Sequence, residues 1–179
     1  MRGYQCAALL LLLLTLAIYA HTLGFGFMWD DPEWYGRVVD KSIVELVRPM
    51  PDYHFYRPLL VLYNRLFLGA DKTLAASLLH AGQTGWHILN VAIAYALSRR
   101  LGLSGWAAMA VAALTAWHPF SYQAVAWAAP AQPMSMALCN GAFLAYAEAR
   151  CKRTRFHLSV WLSLFSTATS GFGQHKTKP

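Results

Sequence analysis

The chain has 179 residues, of which 57% are hydrophobic and only 13% charged, against about 25% charged in an ordinary soluble domain. That balance argues against a water-solvated enzyme and for an integral membrane protein. The formal net charge of +7 is not a nucleic-acid footprint, because no basic stripe is interleaved with aromatic stacking residues.

Ala7 to Phe27 carries no charge and is long enough to cross about 30 Å of hydrocarbon as a helix. A cleaved leader ending at Ala20 is the competing reading. Ile18 is a poor small residue for such a site, and apolarity resumes at Leu23, Phe25 and Phe27, so a retained anchor is expected. Then comes Phe27-Met28-Trp29-Asp30-Asp31-Pro32-Glu33-Trp34, which puts adjacent carboxylates at the depth where Trp and Tyr mark a bilayer edge. Acids at that depth are costly to ionise and are a candidate functional site.

Residues 28–77 form the first loop. Asp31-Pro32-Glu33 reads as a helix start, with Asp as N-cap, Pro at the first position and Glu in the first turn. Tyr35, Val38, Val39, Ser42, Ile43, Leu46 and Val47 then share one helical face, with Arg37, Asp40, Lys41, Glu45 and Arg48 opposite. This pattern predicts one amphipathic helix on the membrane surface, ended by Pro49 and Pro51. Leu59 to Leu68 is apolar but short, which suits a re-entrant or interfacial helix.

Further crossings are expected at 78–97, 103–117, 133–147 and 156–172, before a polar tail at 173–179. The fold class is therefore an all-α integral membrane protein, with about five transmembrane helices and an amphipathic helix in the first extracytoplasmic loop. Arg99-Arg100 and the basic cluster from Arg150 to Arg155 fall on one side if the crossings alternate, whereas residues 118–132 contain no Lys or Arg. The positive-inside rule puts the N-terminus in the cytoplasm and Asp30-Asp31 outside. Cys6, Cys139 and Cys151 read as small apolar residues, with no disulfide or zinc spacing among them.

Phe27-Met28-Trp29-Asp30-Asp31-Pro32 after a first helix resembles the acidic motif of C-type membrane glycosyltransferases, which take sugars from polyprenyl-phosphate carriers. Tyr56-Arg57-Pro58-Leu59, His87-Ile88-Leu89-Asn90, and His118-Pro119 followed by Ala124-Val125-Ala126-Trp127 continue the resemblance in order. Together they are similar to the N-terminal membrane part of protein O-mannosyltransferases with tetratricopeptide repeats. Gln123 stands where that family has an acid, Ala131-Gln132-Pro133 replaces a basic–acidic pair, and the repeats are absent. The resemblance thus implies a fragment or a truncated member.

It further implies transfer of a sugar to an acceptor hydroxyl, such as a protein Ser or Thr, on the extracytoplasmic face. The partners are then a polyprenyl-phosphate sugar donor, the lipid bilayer and an acceptor protein, with no nucleic acid. The alanine-rich helices favour a bacterial inner membrane over the endoplasmic reticulum. Asp30 is the expected base, with Asp31 positioning it or capping a helix. The resemblance implies no definite cofactor, and Asp30 and Asp31 together also offer oxygen ligands to a divalent cation. Arg57 suits a phosphate clamp or a headgroup anchor, and His118 suits a leaving-phosphate contact or a helix cap. His87 and Asn90 sit one turn apart and are expected to hydrogen-bond between helices. A non-catalytic assembly partner is the alternative reading, suggested by the small residues of 107–113.

Overall fold

The computed structural model describes residues 3–29, 31–49, 56–69, 75–128 and 132–152. Among them every regular element is helical: α1 (Gly3–Tyr19), a 3-10 turn (Ala20–Gly24), α2 (Asp31–Gly36), α3 (Ile43–Val47), α4 (Pro58–Leu66), α5 (Ala76–Arg100), α6 (Gly105–Trp117), α7 (Pro119–Ala126) and α8 (Gln132–Lys152). The expected crossing at 156–172 lies outside the described residues.

Helix α5 is the central element, packed against α1, α6, α7, α8 and the 3-10 turn. Its direction fixes the others. His87 meets Ala116 at the end of α6, so α5 and α6 run antiparallel. Asn90 meets Pro133 at the start of α8, and Arg100 meets Glu148 near its end, so α5 and α8 run parallel. Helix α1 approaches α6 through Tyr19 and Ala116. The molecule therefore has an acid-turn end, carrying residues 20–31, α7 and the start of α8, and an arginine end carrying Arg99, Arg100 and Glu148.

Helices α1, α5 and α6 come together over a core of Leu11, Val91, Ala112 and Ala116. Ala108, Ala112 and Ala116 recur every fourth residue and are fully buried. With only a methyl at each position, α6 approaches its neighbours closely and gains dispersion contacts along its length. On α1 the inward stripe is Leu11, Thr15 and Tyr19, while Leu9, Leu10, Leu13, Leu14, Leu16 and Ile18 point away from the bundle and stay exposed.

Gln5–Gly24 is the one segment among the described residues both long and apolar enough to cross a bilayer. Helix α6 is apolar but has only 13 residues, about 20 Å of helix against about 30 Å of hydrocarbon. Helices α5 and α8 have 25 and 21 residues but are interrupted by polar groups.

Two local expectations are corrected. The single amphipathic helix after Asp31 is two short helices, because Ser42 and Glu45 form a reciprocal capping box that starts α3 afresh. Arg37, assigned by periodicity to the solvated face, is only 8% exposed. The chain leaves α2 at Gly36, and Arg37 folds back over Trp34, its guanidinium carbon 4.0 Å from the ring centroid. Helices α2, α3 and α4 then bury Trp34, Val38, Leu46, Leu60, Val61 and Tyr63 against Leu79, Ala128 and Met134, capping the acid-turn end.

Candidate functional site

The acid turn is built backwards from Asp31. Its N–H donates to the Met28 carbonyl at 3.0 Å, and its Oδ2 accepts from the Met28 N–H at 2.9 Å. The carboxylate therefore closes the turn preceding α2, where the Asp-Pro-Glu spacing predicts a cap on the helix that follows. Trp29, inside the turn, has φ 53°, a left-handed conformation that costs a residue with a Cβ about 1–2 kcal/mol. Such strain persists only where the surroundings fix it, and here the Trp29 ring meets Trp127 edge to face at 5.0 Å. Asp31 itself is 1% exposed. Asp30, the expected base, lies outside the described residues.

Arg57 sits at the N-terminus of α4 with φ −130° and ψ 65°, outside the helical region that a following proline disfavours, and Pro58 opens the helix. Its guanidinium carbon lies 5.9 Å from the Trp34 ring centroid. Trp34 is one helical turn beyond Asp31, so α2 holds Arg37 and Arg57 on the element that begins with the acid. His118 is elsewhere. It is exposed, accepts from the Phe120 N–H through Nδ1 at 3.3 Å, and stacks on Phe120. That is the helix-cap geometry, with Pro119 at the first position of α7. Thus the structure gathers Asp31 and Arg57 around α2 and leaves His118 capping α7.

Beneath the acid turn runs a polar stripe on α5, of which only His87 and Asn90 were expected from the sequence. His80, Gln83, Thr84, His87 and Asn90 are all buried, and four of them reach backbone carbonyls on other elements. His80 Nε2 lies 3.5 Å from the Gly26 carbonyl, Gln83 Nε2 donates to Ala128 at 2.9 Å, and His87 Nε2 donates to Ala116 at 3.1 Å. Asn90 Nδ2 donates to Pro133 at 2.7 Å, and its Oδ1 accepts from Asn140 Nδ2 at 3.3 Å. The Gly26, Ala128 and Ala116 carbonyls stand outside helices or at the C-terminal end of α6, where intrahelical donors run out, whereas Pro133 opens α8 and takes Asn90 in its first turn. In a poorly hydrated environment each must be met by a side chain. The expectation that His87 and Asn90 join helices agrees with this geometry.

The remaining contacts at this end are aromatic. His21 stacks on Tyr122, with Nε2 and the phenol oxygen 3.1 Å apart, and its Nδ1 donates to the Ile18 carbonyl at 2.6 Å. This pins α7 to the 3-10 turn. Sequence reading missed α7, though His118-Pro119 was its signal. Among the described residues no group of three or more His, Cys, Asp or Glu is placed to hold a metal ion.

No family model, curated protein or solved structure matches the chain.

Proposed function

We propose that the chain is a multi-pass membrane protein of the polyprenyl-phosphate-dependent glycosyltransferase class, acting at the acid-turn end on the extracytoplasmic side. What supports this reading is convergence. Residues 27–29 and 31–32, with segments 56–59, 87–90 and 118–127, carry the family resemblance, are far apart in sequence and are linked by contacts towards one end of the bundle. The Trp29–Trp127 contact links the first to the last, Arg57 over Trp34 links the second to α2, and His87 bonded to Ala116 links the third to the end of α6. The exposed leucines of α1 suit lipid contact. Helices α1, α5, α6 and α8 alternate in direction, which supports a reading with the acid turn and the arginines on opposite sides of the membrane.

In the proposed reaction the Asp30 carboxylate takes the proton of an acceptor hydroxyl as that oxygen bonds to the anomeric carbon. The bond from that carbon to the carrier's phosphate oxygen breaks, and polyprenyl phosphate leaves with the electron pair. Asp31, already tied to Met28, is suited to positioning rather than to proton transfer. Arg57, which precedes α4 and lies over Trp34 of α2, is the group assigned to the phosphate charge. Of the small residues at 107–113 behind the assembly-partner alternative, Ala108 and Ala112 are buried within this chain, while Ala110 is exposed.

The test is transfer of labelled hexose from polyprenyl phosphate to serine- and threonine-containing peptides by membranes holding the full chain. Asp30→Asn is expected to abolish transfer, and Asp31→Asn, which retains an acceptor for the Met28 N–H, to reduce it. Equal transfer by wild type and Asp30→Asn would overturn the assignment.

A further inference from the structure

At the arginine end, opposite the acid turn, three exposed guanidinia share one carboxylate. Arg100 pairs with Glu148 at 2.7 Å. Arg150 reaches the Tyr146 hydroxyl at 3.5 Å, and Arg99 donates through Nη1 to the Leu103 carbonyl at 3.0 Å. Among the described residues this end therefore carries a surplus of positive charge that Glu148 does not cancel.

The charge stops where α6 begins. Residues 101–147 contain no Asp, Glu, Lys or Arg. Gly102 takes φ 90°, which turns the chain so that the Leu103 N–H donates back to the Ser98 carbonyl. Arg99, bonded to Leu103, thus stands at the mouth of α6. Three residues further on, Trp106 is 65% exposed, and Leu114, on the same face, is 70% exposed. Ala110 between them is also exposed and presents only a methyl, so the face is notched between two large side chains.

Cations at one end of an apolar face restrict the ligand. A nucleic acid or an acidic peptide would meet the guanidinia and leave Trp106 and Leu114 in water. A zwitterionic lipid would cover the face but bring an ammonium with its phosphate. An anionic phospholipid satisfies both parts, since the planar fork of arginine suits phosphate oxygens and Trp106 to Leu114 offers about 12 Å of apolar helix.

We infer that this end binds anionic phospholipid of its own leaflet: Arg99, Arg100 and Arg150 meet the headgroup charge, and the acyl chain of the lipid at Arg99 lies along Trp106, Ala110 and Leu114. This rests on the membrane crossing in the proposed function and is independent of the sugar chemistry there.

Detergent-solubilised full-length chain is titrated with phosphatidylglycerol or phosphatidylcholine of matched acyl chains, and retained lipid is read by native mass spectrometry. Wild type is expected to hold phosphatidylglycerol at least tenfold more tightly. Arg99→Gln and Arg150→Gln should each cut that preference about fivefold, the factor for one arginine at an anionic surface. Arg48→Gln, which removes an exposed arginine near the acid-turn end, should change nothing. Ala110→Leu fills the notch and should weaken both lipids. Equal retention of the two lipids by wild type, or an equal loss in Arg48→Gln, would overturn the site. So would a protein dimer that excludes lipid from this face. Cysteine labelling from each side of sealed vesicles tests the crossing separately. Both ends of α6 labelled from one side would overturn the crossing and the site together, whereas sided labelling with no lipid preference would overturn the site alone.

Discussion

Tyr19 on α1 and His87 on α5 donate to one and the same acceptor, the Ala116 carbonyl, at 3.0 and 3.1 Å, with their rings edge to face at 4.9 Å. The carbonyl needs them because α6 stops at Trp117 and Pro119 brings no N–H. Each donor covers for the other, so the single losses should be mild. Tyr19→Phe and His87→Phe are each expected to cost about 0.5–1.5 kcal/mol. The double variant leaves a buried carbonyl with no donor and should cost more than the sum. Thermal melts in one detergent measure the cycle, and strict additivity would show that the shared carbonyl does not couple α1 to α5.

Gly82 is where α4 meets α5. A methyl there would coincide with the Tyr63 hydroxyl and press on Phe67. Tyr63 is buried against Phe67 and Trp86, so it has little room to swing aside. Burial also pushes its phenol up to about 12, keeping the O–H neutral at any physiological pH. Gly82→Ala gains at most about 1 kcal/mol of helix propensity and should lose about 1–3 kcal/mol to overpacking. The net effect is destabilising. Tyr63→Phe removes a hydroxyl with no partner among the described residues and should be neutral or stabilising alone. Combined with Gly82→Ala it should recover part of the loss.

How far the sequence reveals this arrangement depends on the range of the signal. Helices α5, α6 and α8 follow from apolar runs bounded by Arg99-Arg100, His118-Pro119 and Glu148, and their ends fall within a few residues of expectation. Helix α7 was legible in principle, since His118-Pro119 is an N-cap and first-position proline as well as a stop for α6. Read only as a stop, it hid eight helical residues. The break between α2 and α3 was hidden because the apolar period of Tyr35 to Val47 continues across it, while Ser42 and Glu45 restart the helix. The pairings of Gln83 with Ala128 and Asn90 with Pro133 had no local signal. They join segments 45 and 43 residues apart, so only the packing of α5 on the start of α8 brings them together.

The capping box gives α3 a pH dependence. Glu45 Oε2 accepts from the Ser42 hydroxyl at 2.6 Å and from the Ser42 N–H at 2.7 Å. The hydroxyl first, and the backbone N–H second, hold the Glu45 carboxyl below its ordinary range. A carboxyl with a lowered folded pKa stabilises fully above its unfolded value, about 4.3. That stabilisation is lost as pH falls through the folded value. The protection of the 43–47 amides, taken relative to their intrinsic exchange rates, should therefore be flat from neutral pH down to about 5 and fall below about 4. Ser42→Ala removes the hydroxyl that accepts from the Glu45 N–H, and should raise exchange at neutral pH and flatten the acid limb. An acid limb unchanged in Ser42→Ala would mean that another carboxyl controls α3.

The proposed crossing of α1, α5, α6 and α8 is a topology that can be read chemically. Arg100 and Glu148 form an exposed pair at 2.7 Å, worth about 0–1 kcal/mol at a surface. That is too little to assemble the bundle, but it places the ends of α5 and α8 at one level. Gln123 on α7 is exposed at the opposite end, and Leu101 is 68% exposed beside the arginines. In a chain with its three cysteines replaced, Gln123→Cys should react with an impermeant maleimide on intact cells. Leu101→Cys should react only after permeabilisation. Labelling of both from one side would mean that α5 and α6 do not cross as a pair. The acid turn would then share a compartment with the arginine end, and a donor presented on the far leaflet would be out of its reach.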